Sequence, residues 1–198
     1  MKRLAWGISD TALILAVVAW FSGIGWDVSK IDSYSFFPLL GLVAFSLMWA
    51  HYIAGALRRF YGVDKAVLKN YFRATSLIVI ICILMHPALL MIQLYADGFG
   101  LPPQSYLQNY VASSLAWATS LGTISLIIFL LFELHRKFSD RSWWKYIDYA
   151  QIAGMVFIFI HALALGGEVQ SGWYRYVWFG YGVSLLIAVY YIYKSKKG

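Results

Sequence analysis

The sequence predicts an all-α integral membrane protein, a bundle of six transmembrane helices with both termini in the cytoplasm. Of its 198 residues, 61% are hydrophobic and only 13% are charged, and the mean hydropathy is +0.66. A soluble domain carries about 25% charged residues, so this composition indicates a chain that resides in lipid. Many aromatic residues lie near the ends of apolar segments, as in the belts at the two membrane interfaces. These belt residues are Trp26, Trp143, Trp144, Trp173, Tyr174, Trp178, Tyr190, Tyr191 and Tyr193.

Six apolar segments follow one another along the chain. A spanning helix needs about 20 mainly apolar residues. Segments of this kind lie near 9–26, 37–57, 72–95, 112–134, 146–165 and 174–193. The lone cysteine, Cys82, lies in the third segment and is expected to be a buried core thiol. The longest connection, from Asp97 to Tyr110, is too short to be a domain. One helical domain over residues 1–198 is therefore predicted.

Basic residues mark one side of the predicted bundle. All 16 Lys and Arg residues except Lys30 and Arg175 fall at the termini or in alternate short connections. Because Lys and Arg concentrate on the cytoplasmic side, both termini are predicted to be cytoplasmic, the number of spans even, and the location the plasma (inner) membrane. The first segment is expected to remain as a span, because Trp20 and Phe21 crowd the place where a signal peptidase would cut. The net charge of +7 predicts attraction to anionic membrane lipid, and its scattered distribution predicts no nucleic-acid partner.

Two histidines lie deep in apolar segments and are the main candidates for chemistry. An ionisable residue at membrane depth is a functional-site hypothesis by default. At about 1.5 Å rise per residue, His86 lies roughly 20 Å beyond Arg73 at the cytoplasmic interface, and His161 lies roughly 25 Å beyond Trp144. Both depths fall in the outer half of a hydrocarbon core about 30 Å thick. The two histidines are therefore predicted to be level with each other.

Two level imidazoles on different helices can bind one metal ion from opposite sides, and haem b is the cofactor expected in an apolar bundle. The porphyrin supplies four nitrogens, and the protein adds axial ligands and a dry slot. His86 and His161 are thus the predicted cofactor-binding residues and metal ligands. Gly154, on the same helix face as His161, is expected to make room for the porphyrin edge. Outer-side candidates for meeting the propionates are Arg175, Gln170 and Tyr174.

The other histidines have plainer explanations. His51, roughly 10 Å above the cytoplasmic interface, is either an interhelical hydrogen-bonding residue or a support for a second haem in the inner half. His135 stands beside Arg136 and Lys137, where a positive charge complements the end of a helix dipole. Asp148, near the start of the fifth segment, is expected to cap its helix or to pair with a nearby basic side chain.

Two spacings and one tripeptide connect these residues to a known family. Leu57-Arg58-Arg59 ends the second segment, and Arg73 opens the third, thirteen residues before His86. Thirteen residues also separate Asp148 from His161. From residue 57 onward, this order resembles the ferric reductase-like transmembrane domain family. That family is the haem-bearing core of NADPH oxidases, metalloreductases and the membrane subunit of the bacterial methionine sulfoxide reductase system.

The resemblance implies one six-coordinate b-type haem near the outer face, held by His86 and His161, in a single ferric reductase-like domain over residues 1–198. The family's inner histidine of the fifth span is replaced by Asp148, and Phe72 stands where the third span would carry one. A two-haem ladder of the NADPH oxidase kind is therefore not implied. Whether His51 supports a second haem stays open.

Transmembrane electron transfer is the function that these features predict, in an oxidoreductase subunit that needs a partner reductase. The expected donor is a cytoplasmic flavin reductase or a membrane quinol, and a bound flavin or quinone could bridge the inner half. The expected acceptor lies on the outer side; a periplasmic reductase, ferric iron, oxygen and quinone stay open. One alternative is a redox-inactive membrane anchor or assembly subunit with structural histidines. Another is a proton or metal-ion carrier that uses His51, Asp148 and Glu133.

Overall fold

A computed structural model describes residues 1–137, 145–170 and 172–194. These residues form eight α-helices joined by short connections, and they contain no β-strand. The helices are α1 (Lys2–Gly23), α2 (Ser33–Phe60), α3 (Lys69–Ala96), α4 (Gln104–Asn109), α5 (Ala116–Lys137), α6 (Lys145–Leu165), α7 (Gly167–Gln170) and α8 (Tyr174–Lys194). Single 3₁₀ turns precede α2, α3 and α5, at Val28–Lys30, Lys65–Leu68 and Ser113–Leu115. The predicted all-α class is confirmed for these residues.

Five of the described helices are long and apolar enough to cross a membrane. The five candidate spans are Lys2–Gly23, Ser33–Phe60, Lys65–Ala96, Ser113–Phe132 and Tyr174–Lys194. At the place of the fifth predicted span, α6 carries a shorter apolar segment, Tyr149–Leu165. These helices are compatible with a multi-pass membrane protein. The sixth span, the cytoplasmic termini and the inner-membrane location stay predictions.

The chain divides into two compact units. Unit 1 comprises Met1–Gln93 and the C-terminal segment that carries α8, whereas unit 2 comprises Leu94–Gln170. The boundary falls in the last turn of α3. His86 therefore belongs to unit 1 and His161 to unit 2. The single domain over residues 1–198 stays a prediction.

Small side chains line the buried face of α1 in unit 1. Ala5, Ala12, Ala16 and Ala19 are all buried, and their spacings of seven, four and three residues place them on one helix face. The main neighbour of α1 is α2. Small residues let helix backbones approach closely, which is how helices associate in a membrane, where the hydrophobic effect does not drive them together.

A reciprocal capping box fixes the start of α2. A side-chain oxygen of Asp32 accepts a hydrogen bond from the backbone N–H of Ser35 at 2.7 Å. The hydroxyl of Ser35 in turn accepts from the backbone N–H of Asp32 at 2.9 Å. Such a box satisfies two backbone donors that have no partner inside the helix. It thereby places Phe37 and Gly41 in the first three turns of α2.

Aromatic side chains fill the contact between α2 and α8 in unit 1. The ring centroids of Phe45 and Trp178 lie 4.2 Å apart, and those of Trp49 and Tyr181 lie 4.3 Å apart. The indole N–H of Trp49 donates to a serine hydroxyl of α8 at 3.0 Å. A buried indole N–H usually finds such a partner, so this bond allows Trp49 to pack between the helices.

The residues of the predicted interfacial belt differ in exposure. Trp26 is 63% exposed and Tyr190 is 66% exposed, and their place at the membrane interface stays a prediction. Trp178 and Tyr174 are only 1% and 2% exposed, because they pack inside unit 1, and their assignment to the belt is wrong. The belt residues Trp143 and Trp144 lie outside the described residues. Cys82 is buried and makes no disulfide, as predicted.

Helices α5 and α6 form the main packing seam of unit 2. The hydroxyl of Ser125 shares its hydrogen between the backbone carbonyls of Leu121 at 2.8 Å and Gly154 at 3.1 Å. A Cβ atom on Gly154 would lie 3.2 Å from side-chain atoms of both Ile128 and Phe129. Gly154 therefore brings α6 close to α5. Its predicted role of making room for a porphyrin edge is wrong, because α5 side chains occupy the space beside it.

Candidate metal-ligand histidines

The imidazole of His86 is fixed by the start of α2. Its Nδ1 atom lies 2.7 Å from the backbone carbonyl oxygen of Phe37. A carbonyl only accepts hydrogen bonds, so Nδ1 carries the proton and donates it. In the neutral ring, the lone pair is then on Nε2, the other ring nitrogen. The ring of Phe37 also packs against this imidazole, with the two centroids 5.1 Å apart.

A glycine lies directly beneath the His86 ring. If Gly41 carried a Cβ atom, this atom would lie 3.0 Å from Cε1 and 3.1 Å from Nδ1 of His86. Both distances are tighter than ordinary van der Waals contact. The imidazole therefore packs against the backbone of α2, where Gly41 has no side chain that would occupy its place.

His161 has the same kind of support in unit 2. Its Nδ1 atom lies 2.8 Å from the backbone carbonyl oxygen of Ala118, near the start of α5. A Cβ atom on Gly122 would lie 2.7 Å from both Cε1 and Nδ1 of this ring. That separation is shorter than real Cβ atoms show. The neutral ring thus also donates from Nδ1 and carries its lone pair on Nε2.

The two supports follow one pattern. The ring nitrogen reaches a carbonyl near the start of the preceding long helix, and a glycine stands four residues after that carbonyl in each case, at Phe37 and Gly41 in α2 and at Ala118 and Gly122 in α5. His86 and His161 are both half-buried. Metal-ligating histidines usually donate one ring N–H to a carbonyl or a carboxylate in this way.

His51 is held in the opposite way. Its Nε2 atom lies 2.6 Å from the hydroxyl of Thr75. That hydroxyl donates its hydrogen to the backbone carbonyl of Tyr71 at 2.8 Å, so it accepts from Nε2–H of His51. The rings of Tyr71 and Phe72 pack edge-on to the imidazole, with centroids 5.7 and 5.2 Å away. This environment is that of a hydrogen bond between α2 and α3.

The predicted outer-side residues have other contacts. The amide nitrogen of Gln170 donates to the backbone carbonyl of Ala164 at 2.6 Å. The guanidinium of Arg175 lies over the ring of Phe179, 5.6 Å from its centroid, and Tyr174 is buried in unit 1. None of these contacts tests a propionate role, which stays a prediction. The side chains of Glu133, His135 and Asp148 lie outside the described part of the structure.

Both histidines could be selected from the sequence, but the groups that orient them could not. The small residue predicted beside His161 was on its own helix, whereas Gly41 and Gly122 lie on the neighbouring helices α2 and α5. Their signal in the sequence is a glycine close to the start of an apolar segment that precedes a histidine-bearing one. The shared level of His86 and His161 stays a prediction from sequence.

The described residues contain no group of three or more His, Cys, Asp or Glu side chains that could hold a metal ion. Haem requires only one or two protein ligands, because the porphyrin supplies four nitrogens. An imidazole whose Nδ1 is hydrogen-bonded to a carbonyl is a side chain of the kind that ligates haem iron. Comparisons with protein-family models, curated proteins and solved structures found no match to this chain.

Proposed function

We propose that this chain is a haem b-binding membrane protein of the ferric reductase-like kind, in which His86 and His161 would hold the iron. It transfers electrons across the membrane from a cytoplasmic or quinol donor to an outer-side acceptor. The observation that carries the proposal is the common support of these histidines, a hydrogen bond from Nδ1 to a helix carbonyl and a glycine under the ring.

This support is of the kind that a histidine would need to ligate a metal. A carbonyl partner on Nδ1 fixes the tautomer, orients the ring and makes the opposite nitrogen a better donor to a metal. The lone pair on Nε2 of His86 and of His161 is the group that would hold the iron. When bound, haem supplies an iron that takes up and releases single electrons. The protein's contribution would be two imidazoles that hydrogen bonds to helix carbonyls orient.

The contrast with His51 favours one haem per chain. His51 donates from Nε2 to the buried hydroxyl of Thr75, whereas His86 and His161 donate from Nδ1 to helix carbonyls. A bound flavin or quinone would then carry electrons through the inner half, and a flavin reductase or a quinol would donate them. The acceptor is a partner on the outer side, for which a periplasmic reductase is the proposed class.

Topology belongs to the same proposal. Six spans, with α6 as the fifth, keep both termini on the cytoplasmic side, where the basic connections lie. Single cysteines at residues 2 and 196, introduced after Cys82→Ser, should react with an impermeant thiol reagent only from the cytoplasmic face of oriented vesicles. Reaction of the two positions on opposite faces would refute six spans.

Haem quantification of purified protein tests the ligands. His86→Ala and His161→Ala should each lose most of the haem and the sharp reduced α-band, whereas the control His51→Ala should keep about one haem per chain. Stoichiometric haem in both of the first two variants would refute the ligand assignment. Colourless wild-type protein, even after haem reconstitution, would instead favour a redox-inactive anchor or assembly subunit.

Electron transfer needs a separate measurement. Proteoliposomes with ferricyanide trapped inside, given reduced flavin outside, should reduce the trapped ferricyanide when they contain wild-type protein. His86→Ala should be no faster than protein-free vesicles. Equal rates for wild-type protein and this variant would refute transmembrane electron transfer through the haem site.

A further inference from the structure

We infer that Gly41 and Gly122 are positioning residues for the two histidine ligands and that they set the electron-donating strength of each imidazole. This inference rests on the proposed function, because it concerns the haem ligands named there. Neither glycine has a side chain that could ligate iron. Each acts through the imidazole that lies on it, His86 on Gly41 and His161 on Gly122.

Helix geometry explains why a glycine is needed at this position. In an α-helix, the carbonyl of residue i accepts the N–H of residue i+4. Cα–Cβ bonds tilt toward the helix N-terminus, so the side chain at i+4 lies over the turn that contains this carbonyl. Any side chain at i+4 would cover the face of this carbonyl that points away from the helix axis. When residue i+4 is glycine, the carbonyl oxygen stays accessible and can also accept a hydrogen bond from the imidazole of a neighbouring helix.

Both glycines meet this condition. Gly41 stands four residues after Phe37, whose carbonyl accepts from His86, and Gly122 stands four residues after Ala118, whose carbonyl accepts from His161. Unit 1 has this arrangement of carbonyl, glycine and imidazole at His86, and unit 2 has it at His161. Gly154, by contrast, packs against hydrophobic side chains of α5, so closeness of two helices alone does not produce it.

The two positions differ in how much room they leave. An added Cβ at Gly122 would lie 2.7 Å from two atoms of the His161 ring, whereas at Gly41 it would lie 3.0 and 3.1 Å from two atoms of His86. The first distance forces the imidazole to move. The second requires it to give by a few tenths of an ångström. Alanine should therefore disturb His161 more than His86.

Moving the imidazole weakens its hydrogen bond to the carbonyl. A carbonyl that accepts a hydrogen bond from the nitrogen not bound to the metal raises the basicity of a ligating histidine. The loss of such a partner costs about 10–100-fold in metal affinity. A less basic imidazole stabilises ferric iron less, so the reduction potential of the remaining haem should rise. These effects distinguish a positioning role from simple helix packing, which would leave the potential unchanged.

The experiment compares Gly41→Ala and Gly122→Ala with Gly180→Ala, a helical glycine around which an added Cβ meets nothing within 4 Å. Each holoprotein is assayed for haem per chain, midpoint potential and carbon monoxide binding after reduction, which reports a lost axial ligand. Gly122→Ala should bind haem at least about 10-fold more weakly and bind carbon monoxide. Gly41→Ala should keep more haem, at a potential above that of wild type. Gly180→Ala should match wild type in all three.

The outcomes separate this inference from the proposed function. A wild-type protein without haem would refute the proposed function itself. Wild-type haem content, potential and carbon monoxide response in both alanine variants would overturn only the positioning role. If Gly122→Ala is not recovered as a monodisperse helical protein, Gly41→Ala decides by its potential. Failure of both to fold, while Gly180→Ala folds, would also overturn the inference, because the two glycines would then be structural.

Discussion

Replacing Thr75 by valine should destabilise unit 1 without removing haem. Thr75 is 1% exposed, and its hydroxyl accepts a hydrogen bond from His51 and donates one to the carbonyl of Tyr71. The carbonyl keeps its helical partner in the variant, whereas the His51 N–H is left buried without an acceptor. An unsatisfied buried donor costs about 1–3 kcal/mol, and hydrogen bonds between membrane helices average about 0.6 and reach about 1.7 kcal/mol. We expect a loss of about 1–2 kcal/mol.

The assay is unfolding in mixed micelles with increasing sodium dodecyl sulfate, followed by circular dichroism and haem absorption. A double-mutant cycle with His51→Phe should give a coupling energy of about 1 kcal/mol, and Thr75→Ser should stay near wild type because it keeps the hydroxyl. Zero coupling would refute the hydrogen-bond role of His51. Loss of a stoichiometric haem from Thr75→Val or His51→Phe would instead make His51 part of a second haem site.

Two further substitutions test the packing of unit 2 and a polar turn of unit 1. Gly154→Ala should press on the α5 side chains that lie 3.2 Å from the added Cβ and destabilise unit 2 by about 1 kcal/mol; a stabilised variant in the same micelle assay would contradict this. The hydroxyl and backbone N–H of Ser29 lower the pKa of Asp27. This contribution to stability is present above the unfolded-state pKa and is lost as the pH falls through the lowered folded-state pKa. Ser29→Ala should raise the pKa of Asp27 in a carboxyl carbon NMR titration, and an unchanged value would exclude the Ser29 hydroxyl as the main cause.

The helical class and the candidate ligands could be predicted from sequence because both depend on properties local to the chain. A run of about 20 apolar residues can satisfy its backbone in lipid only by forming a helix or a closed barrel. Five of the six predicted segments therefore appear as long apolar helices. His86 and His161 stood out for a similar reason, since a polar group inside an apolar helix needs a partner wherever the helix packs.

The partners themselves could not be predicted, because helices that are apolar on nearly all sides give no stripe to show which face meets a neighbour. The same apolar composition suits lipid contact and helix contact, so Trp178 was assigned to the interface although it is buried. Gly154 was assigned to a cofactor although it packs against α5. In both cases, the residue type was informative and the direction in which it points was not.

The sequence alone determined that the chain is helical and apolar, that it carries candidate membrane spans, and that His86 and His161 are the residues to explain. Only the tertiary structure decided which ring nitrogen of His51, His86 and His161 donates a hydrogen bond. The carbonyls of Phe37 and Ala118 accept hydrogen bonds from Nδ1 of His86 and His161, whereas the Thr75 hydroxyl accepts one from Nε2 of His51. The physical reason is that a tautomer depends on the acceptor that a neighbouring helix brings within about 3 Å, and that neighbour is set by packing across 24 to 49 residues of chain.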